Sequence, residues 1–96
     1  MYARIARFEA VEGSEPPIEE IRERMREGKG RSDMPVQRGL MLVDREHGRG
    51  ASLMFCETEE DLRRVDEYMN SMTAVPAGGR RTSVEMYEVV LDSDEL

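Results

Sequence analysis

The chain has 96 residues and a mass of 11.0 kDa, a length that suits one domain. Fourteen basic residues against twenty-one acidic ones give a net charge of −7, which disfavours binding to nucleic acid phosphates. No apolar run approaches the roughly 20 residues of a membrane span, and residues 1–7 lack the apolar core of a signal peptide. We therefore expect a cytoplasmic protein that binds neither nucleic acid nor membranes.

Single copies of cysteine and histidine limit the chemistry of the chain. Cys56 alone cannot form an internal disulfide or a cysteine-based metal site, and His47 alone excludes two-histidine zinc motifs. The glycine-containing segment 28–32 follows a predicted helix rather than a strand, so we interpret it as a cap and loop, not a phosphate loop. The sequence thus gives no reason to expect a metal or an organic cofactor.

The first part of the chain predicts a strand and a helix. Residues 2–9 mix β-forming side chains with charges in rough alternation, which is typical of a strand. Apolar side chains then recur every three or four positions, at Ile18, Ile21 and Met25. This spacing predicts one apolar stripe on an α-helix, and Gly28 is a suitable C-terminal cap.

The middle of the chain predicts a β-hairpin followed by a second helix. Strands are expected over 36–44 and 51–56, with a glycine-containing turn at 45–50 between them. Thr58 is expected to cap the next helix through the amide of Asp61. The apolar stripe of this helix follows at spacings of three and four: Leu62, Val65, Met69 and Met72.

The end of the chain completes the predicted fold. Residues 82–91 are expected to form the last strand, and residues 92–96 a frayed acidic tail. The order β-α-β-β-α-β predicts an α+β, ferredoxin-like sandwich in which both helices lie on one face of an antiparallel sheet. We expect residues 1–96 to form a single domain of this kind.

The pattern of apolar residues predicts that the domain associates with itself. Two helices cover only one face of a sheet, so the other face of a monomer should be polar. Three segments, however, are apolar at every position, so they place apolar side chains on both faces of the sheet. They are residues 40–43, 53–56 and 89–91. Because large exposed apolar patches usually mark interfaces, we expect the open sheet faces of two copies to pack together in a homodimer.

Four segments resemble the dimeric α+β barrel superfamily and, within it, the antibiotic biosynthesis monooxygenase-like proteins. They are residues 2–9, the hairpin at 39–45, the strand-to-helix segment 52–62 and the last strand at 84–90. The resemblance covers about residues 2–91. It implies a homodimer whose two sheets close a barrel, with an apolar pocket between sheet and helices in each subunit.

Members of that superfamily include cofactor-independent oxygenases of polycyclic phenols, haem-degrading enzymes and lactone isomerases. The haem-degrading members resemble one another in an Asn–Trp–His trio. This chain has no Trp, and Cys56 lies near the matching place. Asn70 falls late in the second helix, and His47 lies in the hairpin turn. The haem role is therefore not carried over to this chain.

The phenol oxygenases of the superfamily resemble one another in a pocket with Trp, Asn, Arg and Tyr, of which this chain offers candidates only for Arg and Tyr. Arg4 and Arg7 are three residues apart, so they point to opposite faces of the first strand. An arginine in a dry pocket stabilises an enolate or phenolate, but either side chain could instead pair with a glutamate on a neighbouring strand. Tyr87 could donate to a ligand or remain a core residue, and Tyr68 could roof the pocket or flank it.

These considerations define a candidate pocket and two candidate functions. The expected lining residues are Arg7, Met54, Cys56, Tyr68 and Tyr87. Cys56 is expected to be an inert buried thiol, because the acidic segment after it disfavours the thiolate. The resemblance implies a small-molecule-binding barrel, with cofactor-independent monooxygenation of an apolar aromatic or polyketide-like substrate as its activity. The alternative is a non-catalytic ligand-binding or stress-associated barrel whose dimer has a structural role.

Overall fold

The structure is a computed structural model that describes residues 1–10, 18–28, 35–71 and 79–96. The helices and strands are β1 (Tyr2–Ala10), α1 (Ile18–Gly28), β2 (Arg38–Asp44), β3 (Arg49–Cys56), α2 (Glu59–Ser71) and β4 (Gly79–Glu88). Their order confirms the predicted β-α-β-β-α-β arrangement. Neither described helix has the length and apolar content that crossing a bilayer requires.

The four strands form one antiparallel sheet in the order β2-β3-β1-β4. β1 is therefore a central strand, and the first and last strands of the chain are neighbours. In the register of the sheet, Arg4 lies opposite Met54 on β3 and opposite Met86 on β4. This topology is that of the ferredoxin-like α+β fold.

The two faces of the sheet differ in what covers them. On β1, Arg4 contacts Asp66 of α2, and Tyr2 packs against the core, so this alternate set of residues defines the helix face. The opposite set, which includes Ile5 and Arg7, defines the open face. Residues directly opposite each other in a ladder share a face, so the register assigns each residue of the other three strands to one of the two faces.

The buried core lies where α2 covers the helix face. Cys56, Leu62 and Val65 are buried there. Four partly buried side chains pack against them: Tyr2, Val36, Met54 and Met69. The predicted stripe of α2 is confirmed for its first three members, and Met72 lies outside the described residues. The predicted cap is also present, because the Asp61 amide donates to Thr58 Oγ1 at 3.1 Å.

The hairpin strands begin at different residues from those predicted. β2 begins at Arg38, two residues later than expected, and β3 begins at Arg49, two residues earlier. Gly48 has a φ of 61°, in the left-handed region that glycine adopts without strain. The chain therefore reverses over four residues, and the ladder extends as far as the Asp44–Arg49 pair.

The last strand is displaced toward the N-terminus relative to its predicted range of 82–91. The last pair of its register with β1 joins Glu88 to Tyr2. The amide of Val89 makes one further bond, to the Met1 carbonyl at 2.9 Å. The tail that was expected to fray forms a 3₁₀ turn over Ser93–Glu95, in which the Asp92 carboxylate accepts from the Asp94 amide at 2.9 Å.

Candidate functional site

The centre of the helix face is occupied by a buried arginine. The Arg4 side chain is only 1% exposed, and its Nε donates to Asp66 Oδ1 at 3.0 Å. Its Nη2 is buried and has no hydrogen-bond acceptor among the described residues. A buried donor without an acceptor is unusual in proteins, because it loses its hydration and gains nothing in return.

A polar network connects Arg4 to the surface through α2. The other oxygen of Asp66, Oδ2, accepts from Asn70 Nδ2 at 3.3 Å. Asn70 Oδ1 in turn accepts from Arg81 Nη1 of β4 at 2.8 Å. Within the described part of the chain, this network joins two guanidinium groups to a single carboxylate. The buried Arg4 is thus connected, through one carboxylate and one amide, to the exposed Arg81.

Methionines are concentrated on the helix side of the sheet. The register places Met41, Met54 and Met86 on the helix face. Met69 of α2 packs against the core, and Met25 of α1 reaches β2, where its Cε lies 3.1 Å from the position that a Gly39 Cβ would occupy. Five of the eight methionines thus line one layer. Their flexible thioethers adapt to irregular shapes and make favourable contacts with aromatic rings.

The open face has a different apolar composition. The register places branched and aromatic side chains there: Ile5, Leu40, Leu42, Leu53 and Phe55. No described element covers this face, and the Leu42 side chain is 48% exposed. These side chains have fewer flexible torsions than methionine and form well-defined packing surfaces. The described strands thus carry their methionines on the helix face and their isoleucine, leucines and Phe55 on the open face.

A polar cluster lies on the open face where β1 and β4 meet. Arg7 Nε donates to Glu85 Oε1 at 2.9 Å, and the Tyr87 hydroxyl donates to Glu85 Oε2 at 2.5 Å. The hydrogen bond from Tyr87, followed by that from Arg7, lowers the pKa of Glu85. The same bond to Glu85 raises the pKa of Tyr87. The Glu85 carboxylate thus holds both Arg7 and Tyr87.

The single histidine lies at the tip of the hairpin, away from the helix layer. His47 Nδ1 lies 2.9 Å from Asp44 Oδ2, which also accepts from Arg49 Nη2 at 2.8 Å. Arg49, and secondarily His47, lowers the pKa of Asp44 to about 2. In the part of the chain that the structure describes, no three His, Cys, Asp or Glu side chains come together as a metal site.

The structure divides the five predicted pocket residues between the two faces. Arg7 and Tyr87 come together on the open face through Glu85. Met54 and Cys56 lie on the helix face, and Tyr68 lies half-buried on α2. The interpretation of Arg7 as an ion-pair partner of a neighbouring glutamate is confirmed, as is the prediction that Arg4 and Arg7 point to opposite faces.

The sequence pattern of β1 does not distinguish Arg4 from Arg7 as the buried arginine, but the position of Asp66 on α2 does. Asp66 lies four residues after Leu62 and one after Val65, so it occupies the apolar side of α2. A carboxylate in that place requires a partner on the strand beneath it. Since Arg4 lies on the strand face that α2 covers, it supplies this partner.

Comparisons with known proteins show the fold and not a family. The chain is similar to an arginine-to-serine variant of MhuD, whose crystal structure holds two manganese protoporphyrin IX molecules per active site. The two chains are 18% identical, with a TM-score of 0.57 over 96% of this chain and 97% of the other. No protein-family model and no curated protein matches this sequence. The similarity supports the ferredoxin-like fold assigned from the sheet topology.

The residues of this chain do not fit a histidine-ligated porphyrin. His47 is the only imidazole, and it is bound to Asp44 at the hairpin tip. It lies in the turn before β3, and Arg49, the first residue of that strand, is already about 17 Å from Met54 at a rise of about 3.3 Å per residue. The helix layer offers instead a guanidinium, thioethers and a thiol.

Cys56 is expected to be unreactive in the folded protein. Burial, and secondarily the nearby Asp61 carboxylate, raises the pKa of its thiol above the ordinary value of 9.0. At pH 8 the thiolate, which is the reacting form, is therefore scarcer than in a free cysteine. Alkylation by iodoacetamide at pH 8 should be at least about tenfold slower in native protein than in guanidinium-unfolded protein. Equal rates in the two states would contradict the burial of this thiol.

Proposed function

We propose that this protein is a homodimeric barrel that binds a small apolar ring compound between its sheet and its helices. The observation that carries the proposal is that the three methionines of the described strands lie on the helix face, whereas their isoleucine, their leucines and Phe55 lie on the open face. An adaptable layer suits a ligand, whereas a well-defined surface suits a partner of fixed shape. The shared fold with MhuD, which holds two porphyrins per active site, supports this assignment.

The open face supports self-association. Burial of one leucine side chain contributes about 1.5–3 kcal/mol, and a two-fold interface uses every residue of the face twice. The free energy gained by burying the apolar side chains should exceed the cost of covering the polar cluster, in which Arg7 and Glu85 already form an ion pair. The apolar side chains are Leu42, Leu53 and Phe55. A second copy of the chain offers the matching apolar face, so we assign the open face to the dimer.

Ligand binding without catalysis is the function that the described geometry supports best. Cys56 holds its proton because its pKa is raised, and both oxygens of Asp66 are engaged. Neither group is therefore available as a general base at neutral pH.

Cofactor-independent monooxygenation of an aromatic or polyketide-like substrate is the second candidate function. It is favoured by Arg4, whose buried guanidinium would stabilise an enolate oxygen.

A cytoplasmic location is proposed from the single cysteine, which suits a reducing compartment.

Leu42→Asp should convert the dimer into a monomer. The wild-type protein should sediment at micromolar concentration with twice the chain mass of 11.0 kDa. The substitution removes one leucine from each half of the interface and inserts two carboxylates, so the dissociation constant should rise by about a hundredfold or more.

Met86→Asp is the matched control for that measurement. Met86 is 47% exposed, almost the same as Leu42 at 48%, but it lies on the opposite face of the sheet. This variant should remain a dimer. A folded wild-type monomer at micromolar concentration, or equal dissociation by both variants, would contradict the assignment of the open face.

Apolar ring compounds should stabilise the protein, and the helix face should carry the effect. A panel of anthrone-like phenols and other aromatic metabolites should raise Tm, by the equivalent of about 2.7 kcal/mol at a hundred times the dissociation constant. Met54→Ala should lose most of this rise, because Met54 packs on the helix side.

Arg7→Ala and Tyr87→Phe are the controls, since both residues lie on the open face. These two variants should keep the rise in Tm. Loss of the rise in them, with retention in Met54→Ala, would place the ligand on the open face instead. Absence of any rise in the wild-type protein across the panel would contradict ligand binding.

A further inference from the structure

We infer that the ligand of the helix layer carries a carboxylate, and that Nη2 of Arg4 binds it; this inference rests on the proposed ligand-binding function. The class of ligand is thus narrowed from apolar ring compounds to aromatic carboxylates. The Arg4 side chain is 1% exposed, and its Nη2 has no acceptor among the described residues. A charged donor held in this state calls for an anionic oxygen from outside the described chain.

The charge of the guanidinium favours an anion over a neutral acceptor. Among the described residues, Arg4 pairs with one carboxylate, Asp66, through its Nε, and its side chain is 1% exposed. Hydrogen bonds between a guanidinium and an anionic oxygen are shorter and stronger than those to neutral acceptors. They are worth more in a low-dielectric layer than at the surface.

The placement of Arg4 in the sheet explains why the anion should belong to a ring compound. Arg4 lies between Met54 and Met86, its opposite residues on the two neighbouring strands. A carboxylate on Nη2 therefore lies among thioethers, which contact aromatic rings favourably. The guanidinium fixes the polar end of the ligand, and the methionines adapt to its apolar body.

Two isosteric probes test the inference on the wild-type protein. The affinities of 2-naphthoate and 2-naphthamide, which differ in charge but hardly in shape, are measured by calorimetry at pH 7. The acid should bind at least about tenfold more tightly than the amide, which corresponds to about 1.4 kcal/mol. Both probes present the same ring, so the ratio reports the carboxylate alone.

Variants of the two arginines of β1 locate the effect. Arg4→Met keeps the length of the side chain and should reduce the preference for the acid to about one. Arg4→Lys keeps a cation for Asp66 but lacks the second nitrogen group that Nη2 supplies, so it should reduce the preference for the acid severalfold. Arg7→Met, on the same strand but the opposite face, should keep the full preference.

The outcomes separate this inference from the proposed function. Equal affinities of the two probes for the wild-type protein would overturn the role of Arg4 and leave ligand binding intact. A preference that survives Arg4→Lys, or that is lost in Arg7→Met, would also overturn it. Failure of the wild-type protein to bind either probe would overturn both proposals. The wild-type ratio and Arg4→Lys decide the matter even if Arg4→Met does not fold.

Discussion

The buried ion pair between Arg4 and Asp66 is the contact on which the arrangement of this protein depends. It joins the central strand of the sheet to the helix that covers it. Breaking a buried pair by removing one partner costs about 3–5 kcal/mol, because the other charge remains unpaired. A one-residue shift in the pairing of β1 would turn Arg4 away from α2 and would move every side chain of the strand to the opposite face of the sheet. The pair thus fixes which face of the sheet is covered.

Fixing that face gives the two sides of the sheet separate roles. On the helix side, Met54 and Met86 lie on either side of a guanidinium that lacks one acceptor in the described structure. On the open side lie an isoleucine, three leucines and Phe55, together with the cluster in which Glu85 holds Arg7 and Tyr87. A ligand layer and an association surface can therefore coexist on four strands without competing for residues.

Much of the fold follows from local patterns in the sequence. The alternation in residues 2–9, the apolar stripe that begins at Leu62 and the cap at Thr58 each reflect neighbours along the chain, and each prediction is confirmed. The ends of the strands depend on pairing instead. β4 ends at Glu88, the last of its residues that pairs with β1, and no local pattern within residues 82–91 marks the end of that pairing.

The candidate site was only partly predictable for a related reason. Alternation shows that Arg4 and Arg7 lie on opposite faces, but the identity of the buried one depends on Asp66, which is 62 residues away from Arg4. The five predicted pocket residues mixed the two faces because apolar content alone does not show which face a helix covers. The register relative to α2 supplies that information.

Methyl-resolved NMR tests most directly whether the helix face binds the ligand and the open face forms the dimer. The protein is labelled at its methionine and leucine methyl groups, then titrated with 2-naphthoate and, separately, diluted through dimer dissociation. The ligand should shift the methyl signals of Met41, Met54 and Met86, whereas dilution should shift those of Leu40, Leu42 and Leu53. Ligand-induced shifts confined to the leucines, with the methionines unmoved, would contradict the assignment of the two faces.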